Sequence, residues 1–242
     1  KIIPPFNGFY KQTFNFLSEL ENENNNNTKW FSGNRDRYEK YLILPSKAFV
    51  IAIGQFFNNL NPIIRTEPKF NKTLMRINKD IRFTRGLPYR DYFLIHFGKF
   101  KMDSEFYVYL NKNGIEYGLF INNTKGNELF FRNNKTQFKN EIINSFDKFN
   151  INGKFDLYEL NKGPEFVLNN FNASKNFQTF SEMKFILVEK NLSVKNKIIY
   201  TADFLTETIK VFSVLYPIYC FAISSQPLKL LDEFEERMGI PI

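Results

Sequence analysis

The chain holds one cysteine, one histidine and one tryptophan in 242 residues. A lone cysteine, Cys220, excludes a disulfide framework, and its apolar surroundings predict a buried, inert thiol. One Cys and one His cannot build an ordinary Cys/His zinc site, so neither a metal nor a cofactor is expected. His96 is the only candidate for a Ser–His–Asp arrangement, and a single histidine on a strand reads as structural. The glycine signatures of a phosphate loop or a dinucleotide site are missing. No apolar run reaches about eighteen residues, so no membrane span is expected. Basic residues are in excess, with net charge +8 and pI near 9.3. They never form a block of about five like charges, the mark of a nucleic-acid tail. An anionic partner is therefore admitted, with nucleic acid the least expected.

Aromatics are what the chain has in abundance: 30 Phe and 12 Tyr, within an apolar share of 43%. Each ring buries a large area, which predicts a Phe-rich core or Phe residues facing a partner. The length suits one domain, expected over residues 1–225, with residues 226–242 as a helical appendage.

Apolar spacing predicts a helix over 8–21, and the asparagine-rich tract 22–28 reads as a solvated loop with Thr28 as N-cap. A second helix is expected over 29–43 and a third from Pro45, where proline suits a first turn. Glu105 to Asn111 and Ile115 to Ile121 read as strands joined at Asn113-Gly114, a strong hairpin signal. Gly118 inside the second strand marks a close backbone approach. Residues 127–150 read as helical, 155–160 as a strand, 161–176 as irregular and 180–189 as a strand. A long helix over 202–223 carries Pro217, where a kink is expected, and a last helix spans 227–238. Helices, then a mostly antiparallel sheet, then helices give an α+β fold.

One stretch organises the reading: Thr73 to Asp91, TLMRINKDIRFTRGLPYRD. Met75, Ile77, Ile81 and Phe83 alternate with Arg76, Asn78, Asp80 and Arg82, so a strand would carry one apolar face and one charged face. The 29–43 helix likewise holds Asn34 and Arg35 within a stripe of Phe31, Tyr38 and Leu42. Buried polar groups need partners, so this helix is expected to cross the strand and bring Asn34 and Arg35 to Asp80 and Arg82. Two outcomes follow from the same residues. One is an internal Arg–Asp network. The other is an anion pocket in which Arg76 and Arg82 fork onto phosphate or carboxylate, with Asp80, Asn34 and Arg35 beside them and Trp30 and Tyr89 as apolar walls.

Trp30-Phe31, Asn34-Arg35-Asp36-Arg37-Tyr38 and Pro45, with Arg76-Ile77, Asp80, Arg82-Phe83 and Pro88-Tyr89, resemble the two signature stretches of the domain of unknown function 2461 family. The likeness spans residues 9 to 220. Where that family carries a serine followed by a Lys-Asp-Lys-type run, this chain has Thr84, Arg85, Gly86 and Leu87. The resemblance implies a shared fold and names no reaction. The altered segment and the Phe surplus favour a non-catalytic accessory or structural module of a larger assembly, with protein partners. The alternative is an enzyme or binder of a small anion at the Arg/Asp face. The expected location is intracellular, in the cytoplasm or in an organelle matrix such as that of a mitochondrion. The start at Lys1 fits a processed terminus.

Overall fold

The computed structural model describes residues 2–80, 86–100 and 103–238. The N-terminal helices are α1 (Lys11–Glu21), α2 (Thr28–Gly33), α3 (Arg35–Tyr38) and α4 (Leu44–Leu60), with a π-helical turn over Glu39–Ile43 joining α3 to α4. Strands β1 (Phe93–Phe97), β2 (Glu105–Asn111) and β3 (Gly114–Asn122) follow, then α5 (Phe131–Gln137) and α6 (Lys139–Lys148). β4 (Asp156–Leu160), β5 (Pro164–Leu168), α7 (Ala173–Glu182) and β6 (Phe185–Ser193) come next. A 3-10 turn (Lys197–Tyr200), α8 (Asp203–Ile223) and α9 (Pro227–Met238) complete the order. The six strands form one antiparallel sheet in the order β1-β2-β3-β6-β4-β5, and the fold is α+β.

The expected hairpin is present. Lys112 and Asn113 make its turn and Gly114 opens β3 at φ +148°. A Cβ there would lie 1.9 Å from the Leu192 carbonyl oxygen, which is why only glycine suits the position. Two elements within 161–176 were not legible. β5 pairs antiparallel with β4, and α7 begins at Ala173 behind Asn172, whose side chain accepts from the Lys175 amide. β5 is short and largely exposed, with Phe166 60% exposed, so its five residues carry little periodic signal.

The chain divides into two compact units. The first comprises residues 1–97, 108–116 and 191–209, and the second 98–107, 117–190 and 210–242. β2, β3, β6 and α8 each contribute residues to both units, and α9 belongs to the second. Both cores are built on phenylalanine. In the first unit, Phe6, Phe9, Phe49 and Phe204 meet edge to face or stacked at 5.2–6.1 Å between ring centres. In the second, Phe131, Phe146, Phe171 and Phe180 do the same. Phe234 of α9 packs on Phe149 and Tyr216 at 5.8 and 5.0 Å.

Two helical stretches, Arg35–Leu60 and Asp203–Ile223, reach the length and hydropathy of a membrane span. More than half of each apolar window is covered by the protein's own packing, as in a core helix. α8 runs through Pro217 as one helix and buries Cys220 completely; burial pushes the thiol pKa up and holds it protonated.

Candidate functional site

The organising stretch forms an irregular ribbon and not a regular strand. Thr73 to Lys79 run antiparallel to Pro88 to His96 through four main-chain hydrogen bonds: His96 to Thr73, Met75 to Leu94, Arg90 to Ile77 and Lys79 to Pro88. The register slips by two residues between Leu94 and Arg90, which prevents a continuous ladder. The alternation is nevertheless respected: Ile77 is fully buried, while Arg76, Asn78 and Asp80 are exposed. Arg82, with Ile81 and Phe83, lies outside the described residues, as do Thr84 and Arg85 of the altered segment. The arginine that the ribbon itself holds is Arg90, whose Nη1 donates to the carbonyls of Arg76 and Asn78 at 2.9 and 2.7 Å.

The helix expected over 29–43 is broken at Asn34, whose φ of −110° and ψ of 12° leave the helical region. The break resets the phase of the following turn. Arg37, not Arg35, turns inward beside Tyr38. Its guanidinium forks onto Glu19 of α1 at 2.6 and 2.8 Å and donates to Asn34 Oδ1 at 2.7 Å. Asn34 Nδ2 donates back to the Trp30 carbonyl at 3.0 Å. The hydrogen bond from Arg37 lowers the Glu19 pKa, and Glu19 raises that of Arg37. Arg35 is exposed. The aromatic walls are packed: Trp30 tilts on Phe16 at 5.6 Å, and Tyr89 stacks on Phe31 at 4.2 Å with 12° between planes. α2 therefore meets the ribbon through an aromatic pair, and the helix's inward arginine is satisfied by α1.

The asparagine tract contains a residue that the loop reading missed. Asn26 is 3% exposed. Its Nδ2 donates to Leu20 O and Tyr89 O at 2.8 and 3.0 Å, and its Oδ1 accepts from Tyr89 N at 2.9 Å. One side chain thus does for Tyr89 what a neighbouring strand would do, and nothing in a run of asparagines distinguishes it. Asn27, not Thr28, caps α2 by accepting from Trp30 N at 2.9 Å. Asn26→Ala should cost about 2–3 kcal/mol, because it strands a buried amide and carbonyl of Tyr89. Asn24→Ala should cost about nothing, as expected of an exposed loop position. Urea unfolding of the two variants checks the difference.

The second unit holds a buried acid. Asp103, two residues before β2, is fully buried; its Oδ1 accepts from Ser104 N at 2.7 Å and its Oδ2 has no partner among the described residues. Burial pushes its pKa up to about 7, against the opposing pull of the Ser104 amide and of Lys99. The Tyr219 hydroxyl on α8 is likewise buried without a hydrogen-bond partner among the described residues, and burial with the nearby Asp103 charge pushes its pKa up. On β2 the Tyr107 hydroxyl donates to the buried Glu189 carboxylate.

The second unit also contains an open cleft of about 390 Å³ lined by Asn123, Thr124, Lys125, Arg132, Lys135, Glu182, Met183 and Lys184. Asn123 is pinned by its Nδ2, which donates to Ser181 O and Met183 O at 2.9 and 2.6 Å. Its Oδ1 is buried and accepts no hydrogen bond. Lys135 is fixed by donating to Ser181 O, and burial followed by the charge of Arg132 lowers its pKa. Arg132 and Lys135 are three apart on α5 and so share a face, which sequence spacing shows. Lys184 joins them only through the fold, at the start of β6. Among the described residues no cluster of His, Cys, Asp and Glu is placed to hold a metal ion.

An antiparallel sheet with helices, in which Asn34 and Arg37 of the signature helix bond to the chain's own groups, defines an α+β protein of single-sheet type. A model of the family described as "Conserved hypothetical protein (DUF2461)" matches residues 12–221, and the chain belongs to that family. No curated protein and no solved structure matches it.

Proposed function

We propose that the protein is a non-catalytic accessory or structural module of a larger assembly, in which the family's signature residues serve architecture. One observation carries this reading. Asn34 and Arg37, together with Tyr89, spend their polar and aromatic groups on Trp30, Glu19, Asn26 and Phe31. General acid–base or nucleophilic work needs such groups free to meet a substrate. Signature residues that satisfy one another keep a fold instead, and a fold kept for its shape acts by being bound. The expected partners are proteins, in the cytoplasm or an organelle matrix. An extract of the source cells, separated by size under native conditions, should carry the protein in a complex much larger than its own mass. Elution as a clean monomer with no co-migrating protein would sink the proposal.

The second reading keeps a small anion at Arg76, Asp80 and Arg82, with Asn34, Arg35, Trp30 and Tyr89. It is favoured by the exposure of Arg35, Arg76 and Asp80 to solvent. It requires Arg76→Ala to remove anion binding while the fold stays intact.

A further inference from the structure

The cleft on the second unit lies apart in sequence from both signature stretches and is independent of the assembly reading. We propose that it binds the phosphate group of a small phosphorylated molecule, held by Lys125, Arg132, Lys135 and Lys184 with Asn123 at the wall.

Four cations face one carboxylate, Glu182, around a volume of about 390 Å³. None of Lys125, Arg132 and Lys184 makes an ion pair within the described residues, and Glu182 is engaged by the Gln178 amide at 2.9 Å. The cleft therefore carries uncompensated positive charge, which an anion entering it relieves. A surface scatter of lysines would do this loosely; here the site is built. Lys135 is held by Ser181 O, and Asn123 is locked by two donated bonds. Asn123 is 5% exposed and lines the cleft wall.

The charge count selects phosphate over carboxylate. A dianion with three terminal oxygens can meet several converging cations at once, while a carboxylate offers two oxygens in one plane. The volume selects a small molecule. Ligand sites of this kind span roughly 300–1,000 Å³. A nucleic-acid strand would instead need a continuous basic track.

Isothermal titration of the whole chain with inorganic phosphate tests the assignment, with acetate and a single-stranded DNA oligonucleotide as comparators. Saturable phosphate binding is expected, stronger than that of acetate. Arg132→Ala should weaken it about tenfold, the loss of one charge-assisted contact. Arg132 is exposed, so this variant should keep the parent's melting temperature. Lys135→Met should weaken binding at least as much. Lys175→Ala, an exposed charge on α7 outside the cleft, should leave it unchanged. Equal losses in Arg132→Ala and Lys175→Ala would reduce the effect to net charge and overturn the proposal. So would a loss in Arg76→Ala alone, which would place the anion at the ribbon. Absence of saturable binding, acetate binding as well as phosphate, or an oligonucleotide binding tighter through the same residues would each overturn it. None of these outcomes depends on whether the protein elutes within a larger complex.

Discussion

Gly118→Ala should destabilise the protein by about 3 kcal/mol or more, the upper range for forcing an atom into a packed interior. Gly118 sits on β3 beside β6, and a Cβ added there would lie 2.1 Å from the Val188 carbonyl oxygen and 2.8 Å from the Glu189 Cα. Both contacts are with backbone, so no side chain can swing aside. The strands would have to part in the middle of the sheet, and Glu189, which accepts from the Tyr107 hydroxyl, would move with β6. Gly33→Ala is the matched control. A Cβ at this position, the last of α2, meets nothing within 4 Å. Alanine there should be neutral or stabilising by up to about 1 kcal/mol. Guanidinium unfolding of both variants measures the contrast. A Gly118→Ala midpoint equal to the parent's would mean that the strand pair yields without cost.

Asp103→Asn should stabilise the protein above pH 7 and have little effect below pH 4. The unfolded chain releases the Asp103 proton near its ordinary value of 3.8, while the folded chain keeps it until about 7. Between those values the folded state binds more protons than the unfolded one. Stability therefore falls as pH rises through this window and levels off above it. A shift of that size corresponds to about 4 kcal/mol at most. Asparagine is neutral and of the same shape, can still accept from Ser104 N, and removes the dependence. Burial is the largest cause of the shift; the Ser104 amide and Lys99 oppose it, Glu105 and Glu128 add to it, and the Tyr219 hydroxyl lies nearby. Parallel urea titrations at pH 4, 6 and 8 should show the parent weakening and Asp103→Asn holding level across this step. If the two proteins keep a constant difference at every pH, the group does not titrate in that range.

The contrast between Arg35 and Arg37 shows why the site was less legible than the fold. Helical spacing from Phe31 to Tyr38 places Arg35 in the stripe only if the helix is continuous. The break at Asn34 and the π-helical turn over Glu39–Ile43 each shift the phase, and neither has a sequence signature strong enough to read. Asn26 makes the same point from the opposite side. Its neighbours in the tract have the same chemistry, and only the approach of Tyr89 from sixty-three residues away selects it. The cleft needed more still, since its cations come from α5, from Lys125 after β3 and from Lys184 just before β6, and their meeting depends on the fold.

Local patterns determined the α+β class, the hairpin at Asn113-Gly114, the long apolar helix ending at Ile223 and the close approach at Gly118. Each of these rests on alternation, helical spacing, turn chemistry or a missing Cβ, and all of those act between near neighbours in the chain. The family membership was legible for the same reason, from two short stretches of motif. Tertiary structure alone decided that the chain forms two interleaved units, that Glu19 answers Arg37, that Asp103 is sealed from water and that basic residues gather at the second unit's cleft. Those outcomes turn on burial and on pairs far apart in sequence, where the cost of leaving a polar group unsatisfied is set by whatever the fold brings beside it.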